Sequence, residues 1–156
     1  MKTNAIRILE QHKVAYRLAH YEVDEDDLRA TSVAVKVGMA PEQVFKTLVC
    51  RSDSGAVCFA IVPANTELDV KVLAKAVGER KTHPVPLKEV QPLTGYIRGG
   101  VTVLGAKKAF PAVIDASALL FDEVSVSAGV RGTQVILHPQ HYVDATSATV
   151  VEDLGR

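Results

Sequence analysis

Cysteine is scarce in this chain, and neither sign of charge is in excess. Cys50 and Cys58 are the only cysteines in 156 residues, too few for a disulfide framework. They lie in consecutive β-prone runs on either side of the turn at residues 52–55 and read as small buried hydrophobes. Neither has the nearby histidine or electropositive loop that a nucleophilic thiol needs. Lysine plus arginine and aspartate plus glutamate balance at 18 each, which excludes nucleic-acid binding by bulk charge and leaves a local patch or an assisting partner. No apolar run approaches the roughly 18 residues of a membrane span. The opening MKTNAIRILEQHK is mixed and amphipathic, without the apolar centre of a signal peptide. A soluble cytoplasmic protein with no membrane partner is the expectation. There is no Pro/Ser-rich linker, no low-complexity stretch and no internal repeat. One domain over residues 1–156 follows, long enough to take about 70% of the unfolded chain's surface out of water.

What is present centres on PEQVFKTLVCR, residues 41–51. A turn-forming proline leads into an apolar, β-prone segment, and Lys46 sits inside it beside Thr47. Burying an unpaired ammonium costs several kcal/mol or forces the group to neutralise. Lys46 therefore either faces solvent by simple alternation or faces a cavity that wants a charge. A second stretch, LTGYIRGGVTVLGAKK (residues 93–108), favours the cavity, because its glycines suit a close backbone approach.

The remaining elements follow from caps and periodicity. Thr3 can cap a helix over residues 4–11, and residues 16–23 read as extended, with His20 and Tyr21 within them. The acidic run at residues 24–27 reads as a solvated loop. Thr31 and Ser32 can cap a short helix closed by Gly38. Residues 44–51 and 56–63 form a hairpin, and Asp69 caps a helix over 70–77. A short strand at 81–85, a helical turn at 87–91, strands at 113–115, 124–127 and 133–137, and a last helix from Pro139 to residue 143 complete the reading. Hairpins with interspersed helices predict a mixed α/β domain with a curved, barrel-like sheet.

Several chemistries lack their residues. His138 and His141 have HxxH spacing but no third ligand placed to complete a zinc site, and read as surface histidines. Gly99, Gly100 and Gly105 do not make GxGxxG, and no GKS/T follows them. Ser127 in VSAG lacks the GxSxG elbow and reads as a hydrogen-bonding pocket residue. No metal or cofactor is called for. Arg98, Lys107 and Lys108 form a small basic cluster, which is either a solvated face or two to three phosphate contacts with a salt slope of about −2 to −3.

The segments PEQVFKTLV, VPANTELDVKVLAKAVG, PLTGYIRGGVTVLGAKK, PAVIDASA and VSAGVRG, in this order, resemble the YbaK family over nearly the whole chain. These are freestanding editing proteins related to the editing domain of bacterial prolyl-tRNA synthetases. The resemblance implies hydrolysis of mischarged aminoacyl-tRNA in trans, chiefly Cys-tRNA(Pro), with prolyl-tRNA synthetase as a partner and no role for DNA. The family's functional lysine falls on Lys46, beside Thr47, and its early tyrosine falls on Tyr21. Its glycine-rich substrate loop falls on Gly99 and Gly100, and its VSAG turn on Ser127 and Gly129. Lys46 and Gly100 are thereby the expected catalytic positions, and Tyr21, Thr47, Gly99, Ser127 and Gly129 the expected substrate contacts. Val103 stands where many members have proline, so the loop is expected to be looser. The nucleophile implied is the substrate's own thiol, with an ordered water as its rival. Two other readings stay open: a deacylase for another small amino acid, such as alanine on tRNA(Pro), and a non-catalytic nucleotide- or peptide-binding module.

Overall fold

Thr3 accepts the Ile6 amide and starts helix α1 (Asn4–Gln11), as its position predicts, in a computed structural model that describes residues 2–156. The same hydroxyl donates to the Ala128 carbonyl at 2.6 Å, which ties α1 to the loop after Ser127. Strand β1 (Tyr16–His20) ends before Tyr21, short of the extended segment expected. The acidic run is more than solvated loop, because Asp27 accepts from Ser32 Oγ at 2.6 Å and from the Arg29 guanidinium at 2.9 Å. Helix α2 (Ala30–Val37) therefore starts ahead of Thr31 and Ser32, and left-handed Gly38 closes it.

A single 3-10 turn at Pro41–Gln43 delivers the chain to β2 (Phe45–Ser52), and β3 (Val57–Pro63) returns antiparallel to it. Asp69 caps α3 (Val70–Ala76) by accepting from the Lys71 and Val72 amides. Next come β4 (Thr82–Pro84) and α4 (Leu87–Thr94), which runs through Pro92 past the residue 91 end expected. Then follow β5 (Ala112–Asp115), β6 (Val124–Ser127), β7 (Thr133–Leu137), α5 (Pro139–Thr146) and β8 (Thr149–Val151). His138 is the N-cap of α5, its Nδ1 accepting the Gln140 amide. β8 has no counterpart in the sequence reading. Among the described residues no helix is long and apolar enough to cross a membrane.

The strands make two sheets, ordered β1-β7-β6 and β4-β2-β3-β5-β8, with β5 parallel to both of its neighbours. The mixed α/β class holds, but the barrel-like sheet is corrected, because neither sheet closes. The two meet at one parallel bridge, Val44 to Ser125. Further along the same edge of β2, Pro84 and Pro86 have no N–H with which to extend β4. Pairing therefore stops short from both ends of one stretch of that edge, while β3 pairs along the opposite edge, and the sheets stay open there.

Alternation along β2 separates two cores. Phe45 and Val49 pack with Leu9, Phe59, Ile61 and Leu137, whereas Cys50 packs with Cys58, Ala60, Val62 and Leu73 beneath α3. Cys50 and Cys58 face each other across the β2–β3 hairpin as free, buried thiols. Burial pushes their pKa values up to about 12 and about 11, so they stay protonated and packed. Near the C-terminus Leu154 is fully buried, and Glu67 and Arg156 exchange main-chain bonds of 2.8 and 2.9 Å. That pairing pins the segment after Pro63 against the sheet.

Candidate active site

The site begins with the hydrogen-bond parity of β2. Ala64 donates to the Val44 carbonyl and Ser52 to that of Ala56, so the even residues between them point their N–H and C=O at β3. The odd residues point the other way. There Val85 donates to the Val49 carbonyl, and Asp53 to that of Lys81. β4 pairs only with Cys50–Ser52, and β6 leaves after the Val44–Ser125 bridge. Thr47 lies between these ends, and no strand among the described residues pairs with its N–H or C=O. Over this bare edge opens a cavity of about 540 Å³, lined by residues 44–49, by residues 28–31 and Val33 of the α2 entry, by Pro84, Val85, Leu87 and Val90, and by Arg98, Gly99, Ser127 and Gln134.

Lys46 lies in this cavity, half-buried, as one of the two sequence alternatives required. Its Nζ donates to the carbonyls of Thr66 at 2.7 Å and Ala64 at 3.3 Å, where the chain leaves β3. An ammonium has three donors, so one remains for a ligand. Burial lowers the Lys46 pKa below the ordinary lysine value, and the Glu67 charge opposes the shift. The carbonyl pair is held in place by the Glu67–Arg156 main-chain exchange beside Thr66.

Across the gap, Ser127 and Gln134 face each other in the β6–β7 register. Ser127 Oγ accepts the Gly129 amide at 3.1 Å, which leaves the hydroxyl hydrogen for the cavity. Gln134 is only 5% exposed; its Oε1 accepts from Ser125 Oγ at 2.8 Å, and its Nε2 has no protein partner among the described residues. Sequence reasoning missed Gln134, although a polar residue in the apolar run TQVIL is the same signal that singled out Lys46. It also missed the α2 entry, where Asp27 holds the Arg29 guanidinium at the cavity wall; that contact and the Ser32 hydroxyl hold the Asp27 pKa well below the carboxylate range.

Of the expected site residues, the cavity unites Lys46, Thr47, Gly99 and Ser127. Thr47 contributes main chain, since its hydroxyl turns to Tyr142 in the core. Burial raises the Tyr142 pKa, and hydrogen bonds from Thr102, Thr47 and the Val103 amide oppose the rise. Val103, expected to loosen its loop, thus offers Tyr142 an N–H that proline lacks. Tyr21 lies elsewhere, lining a separate hollow with Glu22, Val23, Asp24, Glu25 and Lys36, whose Nζ sits 5.9 Å from its ring centre.

Gly100 is not among the residues that line the cavity. Its N–H donates to the Ile97 carbonyl at 2.9 Å, and a Cβ there would meet the Val130 backbone at 3.1 Å. It is Gly99, with φ +89°, that takes the left-handed conformation at the rim. Gly129 has φ +90°, and a Cβ would meet the Tyr96 ring at 2.9 Å, so it is needed for packing. Gly129→Ala is expected to cost about 2–3 kcal/mol. A thermal melt should show a Tm lower by about 5–10 °C, with activity per folded molecule changed less than about threefold. A loss of activity without a loss of Tm would return Gly129 to the substrate contacts.

Residues 25–145 match the aminoacyl-tRNA editing domain family. A protein of Enterococcus faecalis (strain ATCC 700802 / V583), described as a candidate Cys-tRNA(Pro)/Cys-tRNA(Cys) deacylase and named EbsC, is 42% identical over 151 residues, covering 97% of this chain and 92% of its own. Among solved structures, the hypothetical protein APE2540 superposes with a TM-score of 0.88 at 21% identity, covering 99% of this chain and 100% of its own. A candidate trans-editing enzyme for prolyl-tRNA synthetase gives 0.80 at 24% identity, covering 97% of each chain. These two likenesses speak to fold. The family match and the near end-to-end alignment with EbsC carry the assignment: the chain belongs to the aminoacyl-tRNA editing domain family.

Proposed function

We propose that the chain hydrolyses mischarged aminoacyl-tRNA in trans, with Cys-tRNA(Pro) as its chief substrate. One observation carries the reading. The cavity holds a lysine ammonium with a donor to spare, yet no histidine, cysteine, aspartate or glutamate is among its described lining residues. The hydroxyls of Thr31, Thr47 and Ser127 therefore have no base, and an unassisted hydroxyl is a weak nucleophile. An aminoacyl ester is already activated, so the site has to position it, stabilise negative charge and admit a nucleophile. EbsC, the 42% identical relative, is described as acting on cysteinyl-tRNA, whose side chain brings its own thiol.

In this mechanism the substrate sulfur, as thiolate, adds to its own ester carbonyl. The ribose oxygen leaves and takes up a proton, and the resulting four-membered thiolactone opens with water to give cysteine. Lys46 favours the thiolate and holds an oxygen of the terminal nucleotide, while Ser127 and Gly99 bound the pocket. Arg98 at the cavity, with exposed Lys107 and Lys108 beyond it, offers contacts to tRNA phosphates. A chain of zero net charge selects one tRNA poorly by itself, which favours delivery by prolyl-tRNA synthetase in the cytoplasm. The test is a deacylation panel of Cys-, Ala- and Ser-tRNA(Pro) with purified protein. Cysteine is expected to be released first and alanine slowly. Release of alanine at the cysteine rate would replace this substrate with a thiol-free one, and no release from any would leave a binding module.

A further inference from the structure

If the chain is the deacylase just proposed, its substrate carries an ammonium and a carbonyl on either side of one Cα. That is the donor and acceptor spacing of a single residue in a β-strand. In a hydrogen-bonded antiparallel pair, such a residue exchanges both bonds with one residue opposite. Thr47 is the residue of β2 that presents both groups to the cavity unclaimed, because Val49 has given its carbonyl to Val85 and the Ser125 bridge sits at Val44. Its side chain is committed to the core beside Tyr142 and cannot serve the ligand directly.

We infer that the aminoacyl group docks on Thr47 as a one-residue strand: its ammonium donates to the Thr47 carbonyl, and its ester carbonyl accepts from the Thr47 N–H. The N–H then sits where negative charge develops as the ester is attacked, and so stabilises the oxyanion. Main-chain pairing of this kind gives affinity without reading the side chain. Discrimination among amino acids is left to the chemistry of the substrate side chain. Gln134, a buried lining residue with its Nε2 uncommitted, offers a second donor to the same cavity. Thr47 acts here through its backbone, so changing its side chain is the wrong test.

The test replaces the Thr47 residue by its α-hydroxy acid, which swaps the N–H for an ester oxygen and keeps the side chain. Single-turnover hydrolysis of Cys-tRNA(Pro) is expected to fall about 10²–10³-fold in kcat, the scale of losing one oxyanion donor. Tm should change little, because no protein hydrogen bond is lost. The control is the same swap at Ala60, whose N–H pairs with Leu48 inside the β2–β3 ladder. It is expected to lower Tm and leave kcat within a few-fold. A Thr47 variant with near-normal kcat overturns the inference. Should that variant fail to fold, 3-mercaptopropionyl-tRNA(Pro), which is cysteine without its amino group, reads the other bond with the unmodified protein. Its free thiol is intact but it has no nitrogen to donate to the Thr47 carbonyl, so KM is expected to rise at least about tenfold, and an unchanged KM overturns the inference. If the unmodified protein releases no amino acid from Cys-, Ala- or Ser-tRNA(Pro), the deacylase reading falls and this inference with it; the Thr47 and 3-mercaptopropionyl results bear on the inference alone.

Discussion

Lys46→Ala is expected to slow Cys-tRNA(Pro) hydrolysis at least about a hundredfold, the scale of losing one electrostatic contact to the transition state. The fold should survive, since Lys46 is half-buried and bonds only to the carbonyls of Ala64 and Thr66. The two properties separate further in their pH dependence. A lysine whose pKa is lowered by folding binds its proton less well in the folded chain than in the unfolded one. Its burial therefore opposes folding at neutral pH, and that opposition fades as pH rises through the folded pKa toward the free lysine value of 10.5. Melts of wild type against Lys46→Met should thus shift in favour of wild type between pH 7 and pH 10, while the variant stays inactive throughout. Near-normal turnover in the Ala variant would remove Lys46 from the centre of the site.

Cys-tRNA(Pro) is expected to be hydrolysed more than a hundredfold faster than Ser-tRNA(Pro), although the two differ by one atom. Pockets discriminate such near-isosteres by roughly a hundredfold at most, so a larger ratio marks the thiol as a reactant. A free thiol with a pKa of about 8.5 is partly ionised at neutral pH, and the Lys46 ammonium favours that ion. The protein's own thiols are unsuitable, since burial keeps Cys50 and Cys58 protonated in the core beneath α3. The Cys50→Ala, Cys58→Ala double variant should accordingly keep its rate. Measured under single turnover with both substrates, comparable rates for serine and cysteine would sink the thiol-assisted mechanism. So would an inactive double variant that remains folded.

The parts of the site legible in the sequence were those where a residue contradicts its neighbours. A lysine inside VFKTLV and a serine in VSAG both stood out and both line the cavity. The hairpin around residues 52–55 and the Asp69 cap followed from local turn and cap chemistry, and both formed. The cavity itself was not legible, because it depends on pairings that fail. Pro84 and Pro86 end β4, and β6 departs after one bridge, so the bare edge at Thr47 reflects three segments far apart in sequence. Adjacent glycines share a signal that the sequence cannot divide: of the two, only Gly99 has positive φ, while at Gly100 a Cβ would meet the Val130 backbone. Tyr21 lies apart from the cavity because β1 ends one residue before it and the chain turns to a different hollow. The barrel was expected from hairpins with interspersed helices, but that pattern carries no information about closure.

The bare edge of β2 also bears on how the protein avoids its own kind. Unpaired strand edges are where chains recruit one another into extended sheets and aggregates. Here the unclaimed stretch is about one residue long and lines a cavity that the α2 entry and Pro84 also line. A neighbouring strand needs several consecutive residues to pair, and one residue is too short a template. The brevity that makes the edge useless to another strand still leaves room for a ligand that needs only one residue's pair of main-chain bonds.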